Sequence, residues 1–283
     1  MTPSTPPSSA DLQRFLDIAT EAAQAGGAVL QRYFGQLTSL EEKGRQGDLV
    51  TNADKESEAV ILAAMARHLP GHAILAEESG QSADAASNDY LWAIDPLDGT
   101  TNYAHQYPFY AVSVGLLFRG QPVVAVVFAP FFQELFQAVR GLGAWRDRQP
   151  IQVSTTPSLA QSLLATGFAY DRHQTDDNNY AEFHRLTHLT QGVRRGGSAA
   201  LDLAFVACGR LDGYWERGLA PWDLAAGILL VQEAGGQVSA YDQGPFELAS
   251  GRVLATNGAI HPALSQALVE TRPLGDPDQY RLA

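Results

Sequence analysis

Apolar residues recur at helical spacing from residue 11 to about 35: Leu12, Phe15, Leu16, Ile18, Ala19, Ala22 and Ala23, then Val29, Leu30 and Tyr33. The pattern predicts a long amphipathic helix. Gly26 and Gly27 interrupt it, and either close packing or a local bend would account for them. Polar residues with two glycines over 41–49 predict a loop or hairpin. A second helix fits 52–68, with Ala59, Leu62, Met65 and Ala66 on one side and Pro70-Gly71 as its stop. Short apolar runs at 73–76 and 91–94 predict strands, each ending in acids, with a polar loop over 79–90 between them. Residues 111–153 read as a β-meander, with strands at 112–118, 122–128, 134–139 and 144–145 separated by turn residues. From about 160 the pattern alternates: strands at 163–167, 213–216, 238–241 and 253–256, helices at 181–190, 198–208, 222–234 and 261–270.

A meander followed by β/α alternation predicts layered sheets and helices. The 283 residues suffice for one large domain or two smaller ones sharing a core. We expect a folded unit over 11–271, with an α+β half to about 155 and an α/β half from about 156. A disordered Pro/Ser/Thr tail at 1–10 and a loose Pro/Gly/Asp tail at 272–283 would flank it. Residues 1–10 lack the charged and apolar regions of a signal peptide and the arginines of a transit peptide. No apolar run nears the ~18 residues that span a bilayer. These features predict a cytoplasmic protein with no membrane partner. The net charge of −12 argues against a nucleic-acid surface. It leaves an anionic substrate open, because bound divalent metals invert the local potential. The single cysteine, Cys208, stands among apolar residues and reads as a packed thiol.

The chemistry concentrates in residues 92–102, Trp-Ala-Ile-Asp-Pro-Leu-Asp-Gly-Thr-Thr-Asn. Asp95 and Asp98 at a strand end suit a hard cation such as Mg²⁺. The Gly99-Thr100-Thr101 opening of a short helix would present N–H groups to an anion. Glu77, from the preceding strand, and Asp223, at the start of an apolar helix, add two more acids. Each has a plainer reading. Asp223 suits the helix dipole, Asp98 suits an N-cap, and Glu77 with Glu78 suits a solvated pair. In Asp48-Leu-Val-Thr51-Asn-Ala-Asp54, Asp54 either caps the following helix or holds the Thr100 hydroxyl to align a nucleophilic water. His184 and His188 lie four apart on a helix but lack a third ligand.

Together these boxes resemble the inositol monophosphatase family. The resemblance rests on Asp95 to Asn102, on Glu77-Glu78-Ser79, on Trp222-Asp223 leading to Glu233-Ala-Gly-Gly236, and on Asp48 to Asp54, in order over roughly 12–260. It implies a single phosphatase domain folded as a five-layer αβαβα sandwich of the inositol monophosphatase and fructose-1,6-bisphosphatase type. It implies a Mg²⁺-dependent phosphate monoesterase, sensitive to Li⁺ and homodimeric. Glu77, Asp95 and the Leu97 carbonyl would hold one metal; Asp95, Asp98 and Asp223 would hold a second, and Glu77 could meet a third through water. Two metals so placed activate a water and stabilise the leaving oxygen. Thr100 with Asp54, or Glu77, would prepare the water. Asp98, Gly99, Thr100 and Asp223 would line the phosphate side. Lys43 matches a lysine on a mobile active-site loop, and equally suits a solvated surface position.

Substrate choice rests on other residues. Glu216 matches an acid that accepts hydrogen bonds from sugar hydroxyls, or is an exposed strand acid. Gly197, Ser198 and Ala199 match a helix start that contacts the inositol ring. Arg194 and Arg195 suit a ligand, a solvated pair or a dimer surface; Asp202 reads as structural. The segment from Ser198 looks similar to bacterial and plastid-type members, implying hydrolysis of myo-inositol 1-phosphate. Histidinol phosphate, fructose 1,6-bisphosphate and 3′-phosphoadenosine nucleotides are the alternatives within the same chemistry. A regulatory protein that retains the fold is the alternative outside it.

Overall fold

The computed structural model describes residues 6–45, 47–82, 85 and 88–274. Helix α1 (Ser9–Tyr33) begins inside the tail expected at 1–10, because Ser8 and Asp11 form a reciprocal capping box. Residues 1–5 and 275–283 of the two expected tails lie outside the described residues. After α1 come β1 (Leu40–Glu42) and β2 (Leu49–Thr51), an antiparallel hairpin, and then α2 (Asn52–His68). Next are β3 (Ala73–Ala76), β4 (Gly80–Gln81), β5 (Tyr90–Asp98) and the short helix α3 (Thr100–Ala104). The meander follows as β6 (Ala111–Phe118), β7 (Gln121–Ala129), β8 (Glu134–Val139), β9 (Gly143–Arg146) and β10 (Gln149–Pro150). The rest comprises β11 (Leu163–Thr166), α4 (Tyr180–Leu189), β12 (Gly192–Arg194), α5 (Ala199–Ala207) and β13 (Gly213–Glu216). It ends with α6 (Pro221–Glu233), β14 (Gln237–Ser239), β15 (Val253–Thr256) and α7 (His261–Val269).

An eight-stranded sheet runs β10-β9-β8-β7-β6-β5-β3-β4, and a five-stranded sheet runs β12-β11-β13-β15-β14. The period-two alternation of the strands decides which helices cover which face. On β7, Val124, Val126 and Phe128 face α1 and α2, whereas Ala125, Val127 and Ala129 face α5 and α6. On β13, Tyr214 joins the core around α5 and α6, and Trp215 packs outward with α4 and α7. The layers are therefore α1/α2, large sheet, α5/α6, small sheet, α4/α7, the sandwich expected.

Gly26 and Gly27 are explained by close packing. A Cβ on Gly26 would lie 2.7 Å from Ile61 and one on Gly27 would lie 2.4 Å from Phe128. The middle layer is equally tight: a Cβ on Gly115 of β6 would meet the Ala225 Cβ of α6 at 2.8 Å. One expectation fails. Of Ala59, Leu62, Met65 and Ala66 only Met65 is fully buried; the buried side of α2 is Ala53, Asp54, Ser57, Glu58, Ile61, Ala64 and Met65. Ala59 and Ala66 are exposed. Polar residues hold the inner positions at the N-terminal half of α2, and a hydrophobicity count cannot find such a face.

Candidate active site

The site assembles where β3, β5, α5 and α6 end or begin. β3 and β5 run parallel with Ala76 opposite Ile94, and the Glu77 N–H donates to the Ile94 carbonyl at 3.1 Å. That register places Glu77 beside Asp95. Opposite β6, Asp95 pairs with Ser113 and Asp98 with Ala111, so three steps on β5 match two on β6. A single extra residue is a β-bulge, and it restores phase. Asp95 and Asp98, which odd spacing would put on opposite faces, emerge on the same one. Pro96 has no N–H to lose from the ladder, the Leu97 N–H turns back to Asp95 Oδ1 at 2.9 Å, and Ser57 of α2 donates to the Pro96 carbonyl at 3.0 Å.

That face meets the N-termini of the two middle-layer helices. Asp98 Oδ2 accepts from the Ser198 hydroxyl and the Ala200 N–H, both at 2.7 Å. Asp98 therefore serves the start of α5, one hundred residues away, and not the Gly-Thr-Thr turn. The turn has Gly99 as its N-cap at φ 98°, with no side-chain cap. A Cβ at Gly99 would lie 3.0 Å from the Phe109 carbonyl and 3.2 Å from that of Gly197. Asp223 caps its own helix by accepting from the Ala220 N–H at 2.7 Å, and the Ser113 hydroxyl ties the Trp222 carbonyl to β6 at 3.0 Å. Gly197, Ser198 and Ala199 thus lie against the acid turn, although Ser198 is committed to Asp98.

Asp54 and Thr100, forty-six positions apart, are brought into hydrogen-bond contact. Thr51, not Asp54, is the N-cap of α2; Asp54 closes the box by accepting from the Thr51 N–H at 2.9 Å and hydroxyl at 2.6 Å. Its other oxygen accepts from the Thr100 hydroxyl at 3.0 Å. Thr100 also lies 3.0 Å from the Leu97 carbonyl, which it can reach as a donor in place of Asp54. A hydroxyl has one proton; held by either acceptor, its lone pairs face away from them. Burial pushes the Asp54 carboxyl up to about 6 against these hydrogen bonds.

Burial also raises the acids of the cluster. Asp95 is raised well above the usual range by burial and then by the charges of Glu77, Asp98 and Asp223. Asp223 is raised by burial and then by Asp98 and Glu77. Asp98 is pushed up to about 6 by burial, opposed by Ser198 and Ala200. Glu77 rises by burial, opposed by Lys43. Lys43 is no solvated surface lysine. Its ammonium reaches Glu77 Oε1 at 2.9 Å and bonds Glu78, and despite burial these carboxylates hold it above its ordinary range.

The carboxylates of Glu77, Asp98 and Asp223 lie close enough to Asp95 for their charges to act on it, and oxygen donors of this kind suit hard divalent cations. Crowded acids whose charged forms are disfavoured are what a cation stabilises. The residues therefore fit Mg²⁺ by donor chemistry. Each carboxylate also has a protein partner, and among the described residues no group of three acids, histidines or cysteines stands in closed ligand geometry.

Glu216 ends β13 on the facing sheet. It is buried, not an exposed strand acid; the Tyr214 hydroxyl donates to it, and burial pushes its carboxyl up to about 7. Asp202 is buried on α5 within reach of the Glu216 charge, while Arg194 and Arg195 are exposed. The His184 and His188 rings lie 5.0 Å apart on an exposed side of α4. The Cys208 thiol is half-buried and raised by burial, as a packed thiol should be.

Three positioning residues escaped the sequence reading. Glu58, buried on α2, accepts from the N–H groups of Glu78 and Ser79 at 2.9 Å each, fixing the turn that carries Glu77. Ser57 holds the bulge, and the Asn102 amide bridges the carbonyls of Phe109 (2.7 Å) and Gly196 (2.9 Å). A signal existed for the α2 pair: Asp54, Ser57, Glu58 and Ile61 follow i, i+3, i+4, i+7 spacing, a buried stripe made mostly of polar residues.

The sequence model of the inositol monophosphatase family matches residues 11–272. The chain belongs to the inositol monophosphatase family. It is 63% identical over 264 residues to the inositol-1-monophosphatase of Synechocystis sp., covering 93% of this chain and 92% of that one. It is 44% identical to the Nus factor SuhB of Pseudomonas aeruginosa, covering 89% and 95%. The solved inositol monophosphatase from Anabaena sp. superposes with a TM-score of 0.86 at 62% identity, covering 93% of this chain and 98% of that one. The chain is thus a phosphatase of layered α/β architecture, and among its described residues no helix is long and apolar enough to cross a membrane.

Proposed function

We propose that this family member hydrolyses a small polyol phosphate monoester with Mg²⁺, and that myo-inositol 1-phosphate is its best substrate. The observation that carries the substrate reading is Glu216, a buried acid on the smaller sheet that accepts from Tyr214 and lies within electrostatic reach of Asp98 and Asp223. Such a group binds alcohol hydroxyls and repels a second phosphate. The 63% identity to an inositol-1-monophosphatase supports the same reading over a regulatory one.

Glu77, Asp95 and the Leu97 carbonyl would hold one Mg²⁺, and Asp95, Asp98 and Asp223 a second. Bound there, Mg²⁺ supplies charge neutralisation at the phosphoryl oxygens and a more acidic water. The chain supplies the rest. Asp54 orients the Thr100 hydroxyl and accepts its proton as the Thr100 oxygen takes one from the attacking water, so that the proton ends on the Asp54 carboxylate. Gly99 and Thr100 lie where a phosphate would meet the uncapped start of α3. Glu216, positioned by Tyr214, orients the alcohol part of the ester.

Comparative turnover tests this. Inositol 1-phosphate should have the highest kcat/KM in a panel with histidinol phosphate, fructose 1,6-bisphosphate and a 3′-phosphoadenosine nucleotide. If it is the poorest, the substrate assignment is wrong; if none is hydrolysed with Mg²⁺ present, a regulatory role like that named for SuhB relatives takes its place.

A further inference from the structure

Between β11 and α4 the chain makes a segment, residues 167–179, pinned beside Glu216 at four points. Gly167 sits directly on the Glu216 carboxylate, where a Cβ would come within 2.1 Å. The buried Asn179 amide closes the segment by donating to the Gly167 carbonyl at 2.7 Å, while its oxygen accepts from the Trp215 indole at 2.7 Å. Ala169 lies against Gly218, where a Cβ would come within 2.6 Å. Arg217 grips Asp171 through two parallel bonds of 2.7 and 2.8 Å. The two residues flanking Tyr170 are therefore fixed by Arg217 and Gly218, which directly follow Glu216.

Tyr170 itself is 43% exposed. Desolvation, followed by the charges of Asp48, Glu77, Asp223 and Asp98, holds the phenol above its ordinary range. These acids come from the β1–β2 hairpin and from every arm of the acid cluster. The fixed flanks hold Tyr170 next to the end of β13, where Glu216 sits, and its part-exposed side chain borders that side of the site. Among carboxylates a phenol keeps its proton and acts as a donor, and among the described residues no acceptor is recorded for it.

We propose that Tyr170 determines specificity: its ring covers the carbon skeleton of the substrate, and its hydroxyl donates to a substrate alcohol oxygen that Glu216 does not take. This rests on the polyol reading above. A rim donor beside a buried acceptor would select an ester with more than one alcohol group on its skeleton, such as a cyclic polyol phosphate.

The test compares myo-inositol 1-phosphate with cyclohexyl phosphate, the same ring without hydroxyls, in the full chain with Mg²⁺. Cyclohexyl phosphate is followed by turnover or by competitive inhibition. Tyr170→Phe should raise KM for the inositol ester about threefold to tenfold, the worth of one neutral hydrogen bond, with kcat held within about twofold. The cyclohexyl ester should shift by less than about twofold. Tyr170→Ala should weaken both. A Tyr170→Phe variant that shifts both esters equally, or neither, overturns the assignment. If the parent chain does not hydrolyse the inositol ester, the proposed function falls and takes this inference with it. Parent turnover with an unmoved Tyr170→Phe ratio overturns this inference alone.

Discussion

Glu216 is buried at the end of β13, and its carboxyl rises from 4.5 to about 7 chiefly through that burial. A carboxyl raised on folding favours proton uptake. Its destabilising effect is absent below the unfolded value and grows as pH rises through the window from 4.5 to about 7. The shift corresponds to a few kcal/mol, on the order of 3. Glu216→Gln should therefore raise Tm by a few degrees at pH 8 and leave it nearly unchanged at pH 4.5, in thermal melts without added metal. An equal effect at both pH values would contradict the burial argument. Thr100 makes a different prediction. Thr100→Val should lower kcat by about a hundredfold or more, with the Mg²⁺ midpoint within about twofold of the parent, and Thr100→Ser should restore much of the rate. Steady-state kinetics over a Mg²⁺ titration separate these outcomes. The types of these residues were legible from their boxes; their roles were not. Asp98 read equally well as a cap of the turn beside it, and only the 2.7 Å bonds to Ser198 and Ala200 show which helix it serves.

Elements aim these side chains through packing. α6 carries Asp223 and lies so close to β6 that Gly115 has no room for a methyl group. Gly115→Ala should cost about 1–3 kcal/mol and raise the Mg²⁺ concentration needed for half-maximal activity, because the displaced helix takes Asp223 with it. Denaturant unfolding and a metal titration on one preparation check both effects; lost stability with an unmoved metal midpoint would show that α6 does not set the position of Asp223. Strands and helices were legible where local periodicity and caps decide them, as in 52–68 and 73–76. The buried side of α2 was not, because its inner positions Asp54, Ser57 and Glu58 serve the site and break the apolar pattern. Short elements such as β4, β10 and β12 draw their stability from neighbours and left no periodic signal.

At the scale of the molecule, the acids sit in the seam between two sheets, flanked by helices whose N-termini face them. Mutual repulsion there couples cation binding to folding. Mg²⁺ should stabilise the protein relative to an EDTA-treated sample by about 2.7 kcal/mol when the ion is at 100 times its Kd, and raise Tm accordingly. Asp95→Asn should erase that shift and abolish Mg²⁺-dependent phosphate release while leaving metal-free stability equal or higher, since one repelling charge is gone. Calorimetry with and without EDTA reads this, and a retained Mg²⁺ shift would remove Asp95 from the ligand set. Caps, periodicity and side-chain chemistry act within a few residues, so the longer elements, the donor types and the turn at Asp95 to Asn102 were legible from the chain alone. Only the tertiary structure decided that Asp95 and Asp98 share a face, that Glu77 and Asp223 join them, and that Glu216 is buried opposite. Strand register, a single bulge and the stacking of layers bring together residues more than one hundred positions apart, and no local pattern encodes those distances.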